Sequence, residues 1–308
     1  MKALIPTGDP AEPVVLADVP EPVPGPDEVL VKVEAFSVNR GETFKLERPA
    51  PGDRPGKDVA GLVVQPAADG SGPGGIARVV GHPMAGGWAE YAAVPTHALA
   101  VLPDGVTTHQ AAALPLAGLT ALRLLRAAGP VLGRRVLLTG ASGGVGHYVT
   151  ELAAAAGAEV TAVTRDAGRG ARLAELGAAR VVHDLADARG PYDLVLESTG
   201  GPALPLALAR TARRGTLIWF GQAGRRPSTL DFFAFFDGPE SAVIRHFHYL
   251  DDDTPLGDDL ATLVRLTAEG RLHPEIGRLA DWADTASVLT DLRERRVRGK
   301  AVLTVNGE

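Results

Sequence analysis

The chain has 308 residues, 45% of them hydrophobic and 22% charged, which excludes a disordered protein and leaves room for two domains. A formal net charge of −6 argues against a general nucleic-acid binder, which is ordinarily basic. The absence of cysteine excludes disulfides and thiolate zinc sites and fits a cytoplasmic setting.

Residues 1–6 hold no apolar run of signal-peptide length. Residues 2–5 and 14–18 read as short strands. After prolines at 20, 22, 24 and 26, residues 28–35 alternate Val29, Val31 and Val33 with Leu30, Lys32 and Glu34, the pattern of a partly exposed strand. Further short strands are predicted at 61–65, 77–81, 88–94 and 99–102. Many short strands between Gly/Pro turns predict a barrel or sandwich. The alanine-rich run 111–128 contains Arg123 and Arg126, so no membrane span is expected there.

The stretch 135–146 is the most informative. Val136, Leu137 and Leu138 suit a buried strand, Gly140, Gly143, Gly144 and Gly146 crowd a turn, and a helix follows from Val145 to Ala156. Such a turn brings backbone N–H groups close to an anion, and the helix N-terminus adds partial positive charge. The usual G-x-G-x-x-G reads here Ala141-Ser142-Gly143-Gly144-Val145-Gly146, with alanine for the first glycine. The strand–turn–helix context makes Ser142, Gly143, Gly144, Val145 and Gly146 a dinucleotide cradle.

Strands at 159–163, 180–182, 193–197, 216–220 and 242–247 then alternate with helices at 168–176 and 203–213. Pro205 is tolerated only in the first turn of the latter. This alternation predicts a doubly wound parallel sheet. The tail reads as helices at 260–268 and 284–295 and a strand at 300–305. That strand should rejoin the first domain, since alone it would leave an unpaired edge.

In NAD-binding versions of this fold an acid ends the second strand and binds the ribose 2′-hydroxyl. Here Thr164 holds that place, followed by Arg165, Arg169 and Arg172. Guanidinium groups bind a 2′-phosphate that a carboxylate would repel, so NADPH is expected over NADH. Two alternatives stay open: the arginines as a solvated helix face, and Asp166 as a displaced ribose ligand. His246 and His248 would share one face of a strand, but two histidines without a third ligand make no metal site, and none is expected.

Several stretches resemble the zinc-free quinone oxidoreductase (zeta-crystallin-like) branch of the medium-chain dehydrogenase/reductases. They are residues 37–42, 55–61 and 111–121, the glycine turn, Glu197-Ser198-Thr199-Gly200 and Phe220-Gly221-Gln222. The resemblance runs nearly end to end. It implies a GroES-like β-rich catalytic domain, 1–113 and 251–308, split around a Rossmann NADPH-binding domain, 114–250, with the cofactor between them. It also implies frequent homodimers or homotetramers, with a homodimer expected here. Zinc alcohol dehydrogenases carry a catalytic cysteine, a Gly-His-Glu motif and a further cysteine; the motif's place here reads Gly56-Lys57-Asp58.

By the same resemblance Asn39 orients the nicotinamide and substrate, though a turn residue is its plain alternative. Thr120 marks a helix start beside the cofactor, and Ser198, Thr199, Phe220, Gly221 and Gln222 end strands at the ligand-bearing edge. Phe44, Phe236 and His246 are candidates for the substrate wall. Residues 231–236 hold four phenylalanines that suit a flat aromatic substrate, helix-face packing or a subunit contact. Relatives often carry a tyrosine a few residues past Asn39, but this chain has Thr43-Phe44-Lys45-Leu46. The proton donor is therefore open, with water first and Tyr249 or His246 more distant.

The expected activity is an NADPH-dependent, zinc-independent reduction of a quinone or α,β-unsaturated carbonyl. An enoyl-thioester reductase of polyketide or fatty-acid chemistry is the alternative. It would need a basic entrance, for which Arg225-Arg226 and the stretch 293–298 are candidates. A non-catalytic NADPH-binding protein is the third reading.

Overall fold

A computed structural model describes residues 1–305; of the expected catalytic-domain segment 251–308, residues 306–308 lie outside the described residues. The chain divides into two compact units, Met1–Leu119 with the segment from Asp253 onward, and Thr120–Asp252.

In the first unit β1 (Lys2–Pro6) and β2 (Val14–Asp18) pair antiparallel as a separate ribbon. The next strand, β3 (Glu28–Val38), is longer and more buried than its alternation predicts: Lys32 is its one exposed residue. Both edges of β3 are paired, so even Leu30 is covered. A helix absent from the sequence reading, α1 (Arg40–Lys45), follows Asn39. Then come β4 (Asp58–Gln65), β5 (Arg78–Gly81), β6 (Tyr91–Pro95) and β7 (Leu99–Val101). Trp88, expected to begin a strand, lies in the loop before β6, buried with its ring 5.7 Å from that of Phe36. The alanine-rich run forms two helices, α2 (Thr108–Ala113) and α3 (Pro115–Ala128), with proline at the first position of α3, where it lacks no needed N–H.

The second unit alternates as expected: β8 (Arg135–Leu138), α4 (Gly144–Ala155), β9 (Glu159–Val163), α5 (Gly170–Glu175), β10 (Arg180–Val182), β11 (Tyr192–Glu197), α6 (Ala203–Leu208), β12 (Thr211–Trp219) and β13 (Val243–His246). All six strands are parallel, in the order β10-β9-β8-β11-β12-β13. This is the doubly wound order with its reversal beside β8, where such sheets bind ligands at their carboxyl ends. The central strand is dry: Val136, Leu137 and Leu138 are fully buried. One expectation fails. The helix read at 203–213 stops at Leu208, and Thr211 already pairs with Tyr192, so Arg213 and Arg214 belong to a nine-residue strand.

The tail contributes α7 (Leu256–Ala268), β14 (Ile276–Asp281), α8 (Thr285–Arg293) and β15 (Lys300–Thr304). It rejoins the first unit's sheet: β15 runs antiparallel to β3 and parallel to β14. The strand β14 was not expected. It is an edge strand and its side chains are only half-buried or exposed, so its sequence lacks a strong apolar signal. The seven-stranded sheet runs β14-β15-β3-β4-β5-β7, with β6 also on β3. The fold is thus a GroES-like β-rich domain with an inserted Rossmann sheet. Among the described residues no helix is long and apolar enough to cross a membrane.

Candidate functional site

In the second unit the turn after β8 is built for close backbone approach. Gly140 has φ +65°, a left-handed conformation that side chains disfavour, and its carbonyl accepts from the Gly143 N–H at 3.0 Å. This explains the alanine at 141: the strained position falls one residue earlier than the fingerprint places it. Gly143 precedes α4, whose first-turn N–H groups, at Gly144, Val145 and Gly146, have no carbonyl of their own helix to meet. A Cβ on Gly146 would lie 2.3 Å from the Ala141 carbonyl oxygen, so only glycine lets the helix sit against the turn.

Neighbouring strand ends brace this turn. The Thr164 hydroxyl, just past β9, donates to the Ser142 hydroxyl at 3.0 Å. Arg165 is exposed, whereas Arg169 pairs through Nε with Asp166 at 3.0 Å. Asp166 also accepts from the Gly168 N–H at 2.9 Å, so its carboxylate is engaged locally. Beside β8, buried Glu197 accepts from the Thr139 hydroxyl and the Thr199 and Gly200 N–H groups. Burial nevertheless raises its pKa, opposed by those hydrogen bonds. Ser198 bonds Thr139 through both its N–H and its hydroxyl, at 3.0 and 3.1 Å. Phe220 donates its N–H to Glu197, Trp219 its indole to Gly221 at 2.7 Å, and Gln222 its amide to Arg226. Residues 198–201 and 220–224 therefore form one laced rim. Thr120, read as a helix start, instead lies in the middle of α3, because that helix begins at Pro115.

The first unit holds a buried polar cluster that the sequence reading missed except for Asn39. Asp58, at the start of β4, is fully buried. It accepts from the Ser37 hydroxyl at 2.6 Å, the Asn39 amide at 2.7 Å, the Leu116 N–H at 2.9 Å and the Lys300 ammonium at 3.2 Å, with His82 at 3.3 Å. Burial alone would raise its pKa. The Lys300 charge, with His82 and Ser37, holds it below the usual carboxylate range. Glu42, on α1, accepts from the Asn39 N–H at 2.8 Å and the Gly56 N–H at 3.2 Å. Burial and the nearby Asp58 charge push its pKa up from 4.5 to about 7. Lys57 beside it is half-buried, and burial and the charge of Lys45 lower its pKa.

The raised Glu42 value has a consequence for stability. The folded protein binds that proton more tightly than the unfolded chain, so the contribution is full at acid pH and is lost as pH rises through about 7. It is worth about 3 kcal/mol. Glu42→Gln should flatten the fall in unfolding midpoint between about pH 5 and 8. An unchanged slope in the variant would contradict this origin.

Other predicted residues stand apart. Phe44 is half-buried on α1. Phe232, Phe233 and Phe236 are 70%, 72% and 62% exposed and pack edge to face on one another, which rules out core packing for these three. Phe235 alone packs against the second unit's core. His246 closes β13 and His248 lies beyond the strand, so the two do not share a strand face. Tyr249 is buried and its carbonyl accepts from Arg123 at 2.9 Å. Among the described residues no three His, Asp or Glu side chains are grouped to hold a metal ion. The basic stretch 293–298 is largely neutralised: Arg296 pairs with Asp291 and Glu294, and Arg298 with Glu275 at 2.6 Å.

A family model described as zinc-binding dehydrogenase matches residues 144–262. A chloroplast envelope quinone oxidoreductase homolog of Arabidopsis thaliana is 37% identical over 203 residues, 59% of this chain and 59% of that one. The spectinabilin polyketide synthase system protein NorB of Streptomyces orinoci is 32% identical over 315 residues, 97% of this chain and 14% of its own. The chain thus spans less than two thirds of the length of either relative. A mycobacterial protein solved in complex with NADPH superposes with a TM-score of 0.89, at 27% identity, over 99% of both chains. With its split β-rich domain, inserted parallel sheet and glycine turn, the chain is similar to the quinone oxidoreductase branch of the medium-chain dehydrogenase/reductase superfamily.

Proposed function

We propose that the chain is an NADPH-dependent, zinc-independent reductase of a quinone or an α,β-unsaturated carbonyl. The observation that carries this reading is the glycine turn at the head of the parallel sheet, with Thr164 just past β9 where NAD-binding versions of this fold carry an acid and an exposed Arg165 next to it. The residues present fit such a cofactor: glycine at 146, where a Cβ would meet the Ala141 carbonyl oxygen at 2.3 Å, lets α4 sit close against the turn, and Arg165 and Arg169 are proposed for the 2′-phosphate. The solved relative with NADPH supports the same cofactor here.

When bound, the dihydronicotinamide supplies a hydride for an acceptor carbon that is already electrophilic. In this reading the chain's own part is positioning. The first-turn N–H groups of α4 hold the pyrophosphate, the rim 198–201 and 220–224 bounds the ligand edge, and Asn39 orients the reacting partners. Phe44, Phe236 and His246 are proposed for the acceptor's wall. Water is the proposed proton source, with Tyr249 and His246 as the more distant donors. Arg165→Ala with Arg169→Ala should weaken NADPH binding about ten- to a hundredfold and leave NADH little changed. Equal losses for both cofactors, read by fluorescence titration, would contradict the assignment.

The polyketide synthase relative supports a second reading, reduction of a carrier-bound enoyl thioester, since its similarity runs over 97% of this chain. Ion pairing of 293–298 counts against the basic entrance that reading needs. Rates with a quinone and a crotonyl thioester, compared directly, separate the two, and NADPH binding without turnover of either would favour a non-catalytic role. We further propose a cytoplasmic homodimer. The edge strand β13, paired only to β12, and the exposed phenylalanines beside it in sequence support such a contact.

A further inference from the structure

We propose that Lys300 is a positioning residue that fixes the carboxamide of Asn39, so that Asn39 faces the reacting partners only as a hydrogen-bond acceptor. The proposal rests on the reductase reading above and on the role given there to Asn39. Lys300 opens β15, 261 residues along the chain from Asn39, and is 3% exposed. Its ammonium donates to Asn39 Oδ1 and, at 3.2 Å, to Asp58 Oδ2.

The orientation of the amide follows from charge. An ammonium has donors and no acceptor, so it meets the oxygen end; the ionised Asp58 carboxylate accepts only, so it meets the nitrogen end. Asn39 Nδ2 donates to Asp58 Oδ2 at 2.7 Å and to Glu42 Oε2 at 3.3 Å. A flipped amide would set NH2 against ammonium and oxygen against carboxylate. Both amide hydrogens are thereby committed inside the first unit, and one of the two lone pairs of Oδ1 is taken. What Asn39 can still offer is one acceptor position. It suits a hydroxyl or amide N–H of the cofactor or acceptor molecule, and it cannot stabilise an oxygen on which negative charge develops.

The composition of the cluster supports a task beyond holding strands together. Burying an ammonium and two carboxyl groups is costly, and well-packed apolar residues commonly hold such a site as well or better. A charged set does what an apolar one cannot: it specifies which end of an amide points where.

The test is a double-mutant cycle on the full chain with NADPH and 1,4-naphthoquinone, reading kcat, quinone KM and NADPH affinity separately. Lys300→Met should lower kcat about ten- to a hundredfold while NADPH affinity is kept. Asn39→Ala should lose a similar factor, and the double variant no more than Asn39→Ala alone. If Lys300→Met does not fold, Lys300→Arg is used in the same cycle, and its displaced charge should lower kcat only when Asn39 is present. An active wild type whose Lys300 variant keeps full kcat, or whose losses multiply in the double variant, overturns the proposal. A wild type that reduces no quinone or enone overturns the reductase reading first, and this proposal with it.

Discussion

Gly146→Ala is expected to weaken cofactor binding strongly. The added methyl would lie 2.3 Å from the Ala141 oxygen and 2.6 Å from its Cα, and neither atom can yield without moving the turn. Overpacking of this kind costs about 1–3 kcal/mol, and here the displaced atoms are the cradle's own backbone. NADPH affinity should fall about five- to a hundredfold, since each 1.4 kcal/mol is about tenfold. Titration of intrinsic fluorescence reads this directly. A variant that binds NADPH as the parent does would show that the turn is not the phosphate site.

Asp58→Ala should cause the largest loss of stability of any single carboxylate removal. It takes a carboxylate away from the Lys300 ammonium, the Asn39 amide, the Ser37 hydroxyl and the Leu116 N–H at once. Breaking a buried charge pair from one side costs about 3–5 kcal/mol. For a unit of this size that is an unfolding midpoint lower by roughly 10 °C. Asp18 is the control. It pairs with Lys2 at 2.8 Å, but on the surface, where solvent screens the pair, so Asp18→Ala should leave the midpoint almost unmoved. Similar midpoints for the two variants in thermal unfolding would contradict the weight placed on the cluster.

Much of the architecture could be read from the residues because it is local. A strand, a glycine turn and a helix occupy 135–156, and short apolar runs recur with helical spacers through β13. Elements with weak local signals escaped. The helix α1 is only six residues long and follows an asparagine that reads equally well as a turn. The strand β14 lies at a sheet edge with few buried side chains. The first residues of β12 were absorbed into the preceding helix because Ala207, Leu208 and Ala209 continue its apolar pattern, and no proline or glycine marks the break before Gly215.

The polar cluster was hidden for a different reason. Lys300 and Asn39 meet across 261 residues, and no periodicity or spacing encodes such a pair. Family resemblance points to Asn39, whereas Asp58 stands out in the sequence only as the residue at the place where zinc enzymes have glutamate. The one local hint was the spacing of Asn39 and Glu42, which lets the carboxylate return to the Asn39 N–H at the start of α1. The exposure of Phe232, Phe233 and Phe236 was likewise beyond composition, since an aromatic run reads the same whether it faces a core, a ligand or another subunit.

The most direct test is to follow NADPH oxidation at 340 nm with a quinone, before and after exhaustive chelation of metal ions. The expected result is quinone-dependent turnover that chelation leaves unchanged and that NADH supports poorly. Turnover that vanishes with chelation and returns with zinc, or a chain with no affinity for NADPH, would contradict it.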